Sequence, residues 1–596
     1  MREISAQLQA GEYRAAHDRL GPIVASYPEF AEAQRLLAGA KLVLGDPAGA
    51  EALLRHAIEV NPAWTPTLTM LGELLLSSGR TAEAEAVLQR ALAAGTPDPR
   101  AAMVLARRYN VSGRPAQALA VAAPFCAQGR MDAQLATQHV NALIALGRQT
   151  EAVDHYRRIA AAAPADPAAA QALAIALNAA GEPAQAGQIA RRALLHGHKT
   201  AAISHALAQS LMAEGDCAGA EAALRDCLRL EPRLIEAHNN LAQLVWVRSG
   251  DLAQATQQLD RALELFPDDD ALWAAKAAIL QGAGDARAAY ACLAPRAQRA
   301  QAPPSLIVRA GLAALEFDPA TARSLAERAL QTMPDDASAR SLLVAAELGV
   351  GDARCALSHC EALLSRAPNN QYLIALQTTA MRLLGDERYA QLCDYRKLVL
   401  PLPIEAPEPW ADVATFLRDL KKSLDRLHDP EGHALLFQSL RHGTETTRDL
   451  TRSADQPIQA LFKAFAAPIN QYLGHIGRGT DPLRRRNSGR WRFNGSWSVR
   501  LRNRGFHMSH VHPRGWISSA FYIELPDIMT EARTNEGVLD FGRPSIITTP
   551  ALESEYAVRP AVGMLVLFPS YFWHGTVPFA SAQPRLTVAF DAVPLQ

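Results

Sequence analysis

The amino-acid sequence predicts a multidomain α + β protein: an all-α solenoid of helical repeats, then a domain with an all-β core and a helical cover. Three observations predict this fold class. A glycine recurs about every 34 residues along roughly the first two thirds of the chain. A proline-rich stretch then ends this period. From Arg490 onward, segments rich in β-branched and aromatic residues replace the helical pattern.

Length, charge and cysteine content narrow the class of protein. A chain of 596 residues is longer than one ordinary hydrophobic core, so two or more domains are expected. Because the formal net charge is +0, the protein has no overall positive charge that would attract nucleic acid or an acidic membrane. The seven cysteines form no CxxC pair, which is typical of a protein from a reducing compartment. The sequence contains no run of about 18 apolar residues, so no membrane-spanning helix is predicted. We therefore expect a cytoplasmic protein with neither a membrane nor nucleic acid as its partner.

The repeat is marked by three residue types at fixed offsets. Glycine ends the first helix of each unit, because it adopts the left-handed conformation that a Cβ disfavours. An alanine five residues later lets the second helix approach closely, and a proline often stops that helix. The glycine markers are Gly11, Gly45, Gly79, Gly113, Gly147, Gly181, Gly215, Gly250, Gly284, Gly351 and Gly385, with Phe317 in the one slot without glycine. The alanines run from Ala16 to Ala390.

This pattern resembles the tetratricopeptide repeat family over residues 1–395, in about 12 units. One helical hairpin cannot bury its apolar stripe, so neighbouring units must stack. The resemblance implies a concave surface that binds a protein or peptide. A spacer or a dimerisation module is the alternative.

A boundary follows the repeats. The proline-rich residues 396–410 predict an extended linker, and residues 411–596 predict the second domain. Within it, "DVATFLRDLKKSLDRL" and "PIQALFKAFAAPINQYL" are typical of helices. The segments "RWRFNGSWSVRLR", "WISSAFYIEL", "GMLVLFPS" and "RLTVAFDAV" are typical of strands.

A histidine cluster, "FHMSHVHPRGW", predicts a metal site. His510 and His512 are two residues apart, so on an extended strand they point to the same face. His574 follows the strand "GMLVLFPS" and adds a third imidazole. Three protein ligands with positions left open are typical of a catalytic metal. His507 lies three residues before His510 and is expected to face the other way, as a structural or supporting residue.

The last predicted strand carries a candidate anion site. In "PRLTVAFDAV", Arg585 and Thr587 lie on one face because strand side chains alternate. A guanidinium beside a hydroxyl can bind a carboxylate. A buried arginine without such an anion would be costly.

Together, "HxHP…SSAFYIELP", "GxLVLFPSxxxH" and the terminal "RxT" resemble the iron(II)/2-oxoglutarate dioxygenase family over about residues 430–596. The resemblance implies a double-stranded β-helix (jelly-roll) domain that uses Fe(II), 2-oxoglutarate and O2. Carried over, the iron ligands are His510, His512 and His574, and Arg585 with Thr587 binds the co-substrate.

One departure from the family's pattern concerns His512. The commonest site of this type has two histidines and one carboxylate, but His512 occupies the acidic position. His512 is therefore either a neutral third ligand or a supporting residue beside a bound water. Asp527 and Asp540 are the spare carboxylates nearby.

The leading hypothesis is an oxygenase that hydroxylates a protein or peptide recruited by the repeats, as the combination of domains suggests by analogy. One alternative is a repeat scaffold whose β domain only binds. Another is a cupin-like enzyme with a three-histidine metal and no 2-oxoglutarate.

Overall fold

The computed structural model describes residues 1–127, 132–429, 432–436, 438–530 and 534–595. The chain forms two compact units, Met1–Glu231 and Pro232–Gln596. The last repeats therefore belong to the same unit as the β-rich residues. No helix in the described ranges is both long and apolar enough to cross a membrane.

The first unit consists of paired antiparallel helices. These are α1 Arg2–Gln9, α2 Tyr13–Ser26, α3 Ala31–Val43, α4 Pro47–Val60, α5 Thr65–Ser77, α6 Thr81–Ala93, α7 Pro99–Val111, α8 Pro115–Cys126, α9 Ala133–Ala145, α10 Gln149–Ala162, α11 Pro167–Ala179, α12 Pro183–Leu195, α13 Ala201–Glu214 and α14 Cys217–Leu230.

The second unit continues the repeats. Its repeat helices are α15 Ile235–Ser249, α16 Leu252–Leu265, α17 Asp270–Gly282, α18 Ala286–Ala297, α19 Pro304–Leu315, α20 Pro319–Thr332, α21 Ala337–Val350, α22 Ala353–Arg366, α23 Gln371–Leu384 and α24 Arg388–Leu392, followed by the single turn α25 Tyr395–Leu398.

The glycine and alanine markers act as predicted. Every marker glycine has a positive φ, from 62° at Gly250 to 96° at Gly284. Such angles are costly for residues with a Cβ, so these glycines fix the turns between paired helices. The marker alanines are buried, with the exception of Ala390 on the short α24. The predicted helical-repeat solenoid is confirmed.

The rest of the second unit contains two antiparallel sheets. The six-stranded sheet has the order β1-β7-β4-β9-β3-β2, and the three-stranded sheet has the order β6-β5-β8. The strands are β1 Leu400–Pro403, β2 Leu440–Glu445, β3 Trp491–His507, β4 Ile517–Glu524, β5 Leu539–Phe541, β6 Tyr556–Val558, β7 Met564–Pro569, β8 His574–Thr576 and β9 Arg585–Pro594. The helices are α26 Val413–Asp425, α27 Gln456–Ala464, α28 Ala466–Ile476 and α29 Asp527–Thr530.

These elements confirm the predicted fold class, with all four predicted strands present as β3, β4, β7 and β9. The stretch predicted as a linker contributes β1, which pairs with β7 at the edge of the larger sheet. The helical cover packs on this sheet through Phe465, which lies at the junction of α27 and α28. Its ring centroid is 5.2 Å from that of Phe521 and 5.0 Å from that of Phe590.

One hydrophobic core runs from the last repeats into the sheets of the second unit. It joins Leu376 of α23 to Phe541 of β5 and Leu567 of β7. Polar contacts reinforce it: Tyr571 donates its hydroxyl hydrogen to the Leu392 carbonyl at 2.7 Å, and the Thr549 amide donates to the Leu348 carbonyl at 3.0 Å. The last repeats therefore form one wall of the β domain.

Candidate metal centre

The histidines approach one another where the segment after β3 pairs with the start of β8. His510 and His574 exchange two backbone hydrogen bonds, of 2.9 and 3.1 Å. The His512 amide donates to the Ser570 carbonyl at 3.0 Å. As a result, one ring nitrogen from each of His510, His512 and His574 lies within 4.8 Å of the other two. The structure brings the three predicted imidazoles together.

Hydrogen bonds orient all three rings in the same way. The Nδ1 atoms of His510 and His574 are 2.9 Å from the carbonyl oxygens of Met508 and Phe572. The Nδ1 atom of His512 is 2.6 Å from Oδ1 of Asp591. Because each of these partners accepts a hydrogen, each Nδ1 carries a proton, and in the neutral form of each imidazole Nε2 keeps a free lone pair. The Nε2 atoms of His510 and His512 are 3.2 Å apart.

Asp591 supports the centre although the sequence analysis did not single it out. It is buried on β9, and it also accepts a 2.7 Å hydrogen bond from the Ser518 hydroxyl. A carboxylate on the far side of a ligating imidazole fixes the ring and makes it a stronger donor to a metal. The sequence did contain a signal for Asp591: strand side chains alternate, so Asp591 is expected on the same face of β9 as Arg585.

Burial keeps two of the imidazoles neutral, the form that binds a metal. Burial and the charge of His512 lower the pKa of His510 to about 3. Burial and both neighbouring imidazoles also lower the pKa of His574 well below its usual value. For His512, burial opposes protonation, but the charge and hydrogen bond of Asp591, followed by the charge of Glu445, raise its pKa.

Arg585 and Thr587 line the same cavity as the three histidines. Arg585 is 3% exposed, and Nη1 donates to the Gly537 carbonyl at 3.3 Å. Its Nε has no hydrogen-bond partner among the described residues. The guanidinium lies 5.1 Å from the centre of the Tyr522 ring, and burial lowers its pKa. The cavity thus contains a buried cation whose hydrogen-bonding capacity is only partly used.

The side chain of His507 faces a different direction from the one predicted. It lines the same cavity rather than facing away, with its ring centroid 5.8 Å from that of His510. The alternation of strand side chains fails here because β3 ends at His507 and the chain changes partners before His510. Nδ1 of His507 is 3.1 Å from the Ser439 hydroxyl, and its amide donates to Thr576 Oγ1 at 2.8 Å.

The spare carboxylates do not join the histidines. Among the described residues, the group that can share one ion contains only His510, His512 and His574. Asp527 lies at the start of α29, and Gln583 donates to its carboxylate at 3.3 Å. Asp540 lies on β5, 3.6 Å from Arg543. A direct carboxylate ligand is therefore absent from the described part of the site.

Glu445 is a further acidic residue that the sequence analysis missed. It ends β2 opposite Val499, which lines the cavity. Burial raises the pKa of its carboxyl group to about 7, against the opposing charge of His512. No motif marked it, because its position depends on the pairing of β2 with β3.

Comparisons with known proteins identify the same two regions. The family model described as "Putative 2OG-Fe(II) oxygenase" matches residues 495–591. The tetratricopeptide repeat model matches residues 7–71, 44–108 and 211–279. No curated protein matches this sequence.

Solved structures similar to this chain match it at low sequence identity and low TM-score. A tetratricopeptide repeat protein from Parabacteroides merdae is 13% identical, with 40% of this chain and 95% of that chain covered and a TM-score of 0.34. The human IFIT1 dimer with PPP-AAAA is 15% identical, with coverage of 61% and 88% and a TM-score of 0.30. Yeast Tom70 is 14% identical, with coverage of 66% and 96% and a TM-score of 0.29.

The chain therefore carries tetratricopeptide repeats in its N-terminal part and a domain of the Putative 2OG-Fe(II) oxygenase family at residues 495–591.

Proposed function

We propose that this protein is an iron(II)- and 2-oxoglutarate-dependent dioxygenase. In this proposal His510, His512 and His574 hold the iron, and Arg585 with Thr587 binds the distal carboxylate of 2-oxoglutarate. The observation that carries it is the shared cavity: it is lined by three convergent imidazoles and by a buried guanidinium that has no acidic partner among the described residues. A dicarboxylic acid can reach a metal with one end and a guanidinium with the other.

The residues present suit both groups. Iron(II) accepts imidazole nitrogen, and three protein ligands leave positions for a co-substrate and O2. Burying an unpaired arginine is unfavourable, so a carboxylate that binds Arg585 recovers part of that cost. The cavity walls include Val499, Leu539 and Phe568, which exclude water around the reacting groups.

When bound, the iron supplies the oxidative chemistry, in which O2 converts 2-oxoglutarate to succinate and CO2 and hydroxylates a substrate C–H bond. The chain's own residues orient the metal ligands and the co-substrate and shield them from water. Asp591 and two backbone carbonyls hold the imidazoles in the ligating tautomer. Arg585 and Thr587 fix the far end of the co-substrate.

A neutral third ligand changes the charge of the centre. Two histidines and a carboxylate would leave one net positive charge on iron(II), whereas three imidazoles leave two. Asp591 compensates in part because it lies behind His512 at hydrogen-bond distance. The site can therefore still favour an anionic co-substrate without a directly ligating carboxylate.

The substrate in this proposal is a protein or peptide recruited by the repeats. Stacked helical repeats usually present an extended concave surface to a polypeptide. The joining of such repeats to an oxygenase domain supports this assignment by analogy. The proposed location is the cytoplasm.

The test is succinate formation from 2-oxoglutarate, with and without iron(II). We expect iron-dependent succinate, and we expect Arg585→Ala to raise the KM for 2-oxoglutarate by at least about tenfold while iron binding persists. Thr587→Val, which removes only a hydroxyl, should raise the KM less. An unchanged KM in Arg585→Ala would contradict the assigned clamp.

Two other outcomes would support the alternatives. Binding of iron and 2-oxoglutarate without succinate would indicate a domain that only binds. Iron-dependent turnover that ignores 2-oxoglutarate would indicate a three-histidine enzyme of the cupin type, which the neutral ligand set also suits.

A further inference from the structure

A strongly basic cleft lies on the β domain beyond the metal centre. It encloses about 830 Å³ between the turn at Arg484–Arg486, the start of β3 and the end of β9. We call it the arginine cleft. Its cationic residues are Arg478, Arg484, Arg485, Arg486, Arg492 and Arg514.

The positive charge of the arginine cleft is poorly compensated. No aspartate or glutamate is among the described residues that line it. Arg484 pairs with Asp481 just outside the lining, and Arg485 donates to the Pro368 carbonyl and to Asn369. Nη1 of Arg492 donates to the Phe493 carbonyl at 3.3 Å, and its other guanidinium donors can bind an occupant of the cleft.

Arg486 adds positive charge to the lining of the arginine cleft. Its Nη1 is buried and has no hydrogen-bond partner among the described residues. Burial, and then the charge of Arg485, lower its pKa to about 10. A buried, charged donor without an acceptor is unfavourable, and a nearby anion offsets part of its charge.

The arginine cleft continues the catalytic cavity along two strands. On β9, Arg585, Thr587 and Ala589 line the cavity, and Val593 lines the cleft. At about 3.3 Å per residue, Ala589 and Val593 are roughly 13 Å apart. On β3, Trp497 and Val499 line the cavity, whereas Arg492 and Asn494 line the cleft.

Arg514 lines the arginine cleft and also belongs to the turn that follows the proposed ligand His512. It lies two residues after His512, in a turn closed by a 3.1 Å hydrogen bond from the Gly515 amide to the His512 carbonyl. Asn494 donates to the Arg514 carbonyl at 3.2 Å. Arg514 and the proposed ligand His512 therefore lie on the same turn.

We propose that the arginine cleft binds an acidic segment of the polypeptide substrate, so that a residue a few positions along the same chain enters the catalytic cavity. This inference rests on the proposed function and adds a substrate class to it. Guanidinium groups bind carboxylates through paired donors, and an extended peptide of about four residues spans the roughly 13 Å between the two sites.

A peptide fits this cleft better than a nucleic acid. Single-stranded nucleic acids bind through stacking on aromatic rings as well as through cations. No aromatic residue is among the described residues that line the cleft. The nearby Trp491 donates its indole N–H to Asn470 and packs edge-on against Phe493, with ring centroids 4.9 Å apart. Trp516 is fully buried beneath Arg486.

The test uses the full-length protein without iron or 2-oxoglutarate and a labelled peptide of alternating glutamate and serine. Its neutral counterpart has glutamine in place of glutamate, and oligothymidylate is the nucleic-acid probe. We expect the acidic peptide to bind at least about tenfold more tightly than the neutral one, and added salt to weaken its binding.

The double variant Arg492→Gln with Arg514→Gln should weaken binding of the acidic peptide by about tenfold. Both arginines are exposed, so the fold and the metal centre should persist. Arg490→Gln, an exposed arginine of the same stretch outside the lining, is the matched control and should bind as the unchanged protein does.

Three results would overturn the inference: equal binding by the double variant, equal binding of the neutral peptide, or tighter binding of oligothymidylate. Succinate formation by the Arg490→Gln control without a peptide should be unchanged. Absence of succinate from the unchanged protein would contradict the oxygenase proposal instead, because peptide binding is measured without the cofactors.

Discussion

The indole N–H of Trp573 donates a 2.9 Å hydrogen bond to Oγ1 of Thr379, and both side chains are buried. Trp573 directly precedes the proposed ligand His574, and Thr379 belongs to α23 of the last repeats. The last repeats therefore hold in place the segment that carries the proposed ligand His574.

Replacement of this acceptor should loosen the centre. Thr379→Val keeps the shape but leaves a buried indole N–H without a partner, at a cost of about 1–3 kcal/mol. We expect a lower unfolding midpoint in urea and weaker binding of iron(II). Thr378→Val is the matched control, because the hydroxyls of both threonines donate to the Ala375 carbonyl but only that of Thr379 accepts from Trp573. Equal effects of the two variants would contradict this role.

Truncation should show where the functional unit begins. Removal of residues 1–231 should leave a folded protein that binds iron(II), because residues 232–596 form one compact unit. Removal of residues 1–395 should abolish binding, because it strips the partners of Tyr571, Trp573 and Thr549. Circular dichroism and iron titration of both fragments provide the measurement. Full binding by the shorter fragment would make the repeats dispensable for the centre.

Asp591 should strengthen iron binding through His512. Asp591→Asn keeps the size of the side chain but removes the charge behind the imidazole, so we expect iron affinity to fall by about 10–100-fold. Asp540→Asn is the control, since Asp540 is also buried but lies outside the histidine group. Competition with a chelator measures both. Unchanged affinity in Asp591→Asn would show that His512 needs no such support.

His428 should make the protein sensitive to acid. Its ring nitrogens lie 2.9 Å from the Thr444 hydroxyl and 3.0 Å from the Ser498 hydroxyl. Burial, and then the charge of Arg500, lower its pKa to about 4. Because this value lies below the ordinary pKa of about 6.5, the unfolded chain binds a proton first as the pH falls.

The contribution of His428 to stability is therefore complete above pH 6.5 and is lost between about pH 6.5 and 4, by up to about 3 kcal/mol. In His428→Asn the free energy of unfolding should decline less over this range. Urea titrations at several pH values measure the decline, with the exposed His56→Asn as control. Parallel declines in the unchanged protein and His428→Asn would exclude His428 as the cause.

Short-range sequence patterns predicted the helical repeats and the strands with alternating side chains. The repeats could be read from the sequence because each glycine turn depends on its own backbone angles. The strand that carries Arg585 and Thr587 could be read because alternation holds along regular β structure. Motif and spacing pointed to His510, His512 and His574, and the structure brings these three imidazoles together.

The features of the site that the sequence did not predict depend on contacts between segments that are distant in the sequence. His507 was assigned the wrong face because the chain leaves β3 before His510, so strand alternation no longer applies. Glu445 lies opposite the cavity-lining Val499 only because β2 pairs with β3. Short strands such as β5 and β8 carry too few residues for a pattern. The bounds of the repeat region, the linker and the second domain stay a prediction.

The central claim is that three imidazoles share one iron(II). Anaerobic iron titration of four variants, His510→Ala, His512→Ala, His574→Ala and His507→Ala, tests it most directly. We predict that the first three lose at least about a hundredfold in affinity, because each removes a ligand, whereas His507→Ala stays close to the unchanged protein. Undiminished iron binding by any of the first three would contradict the proposed centre.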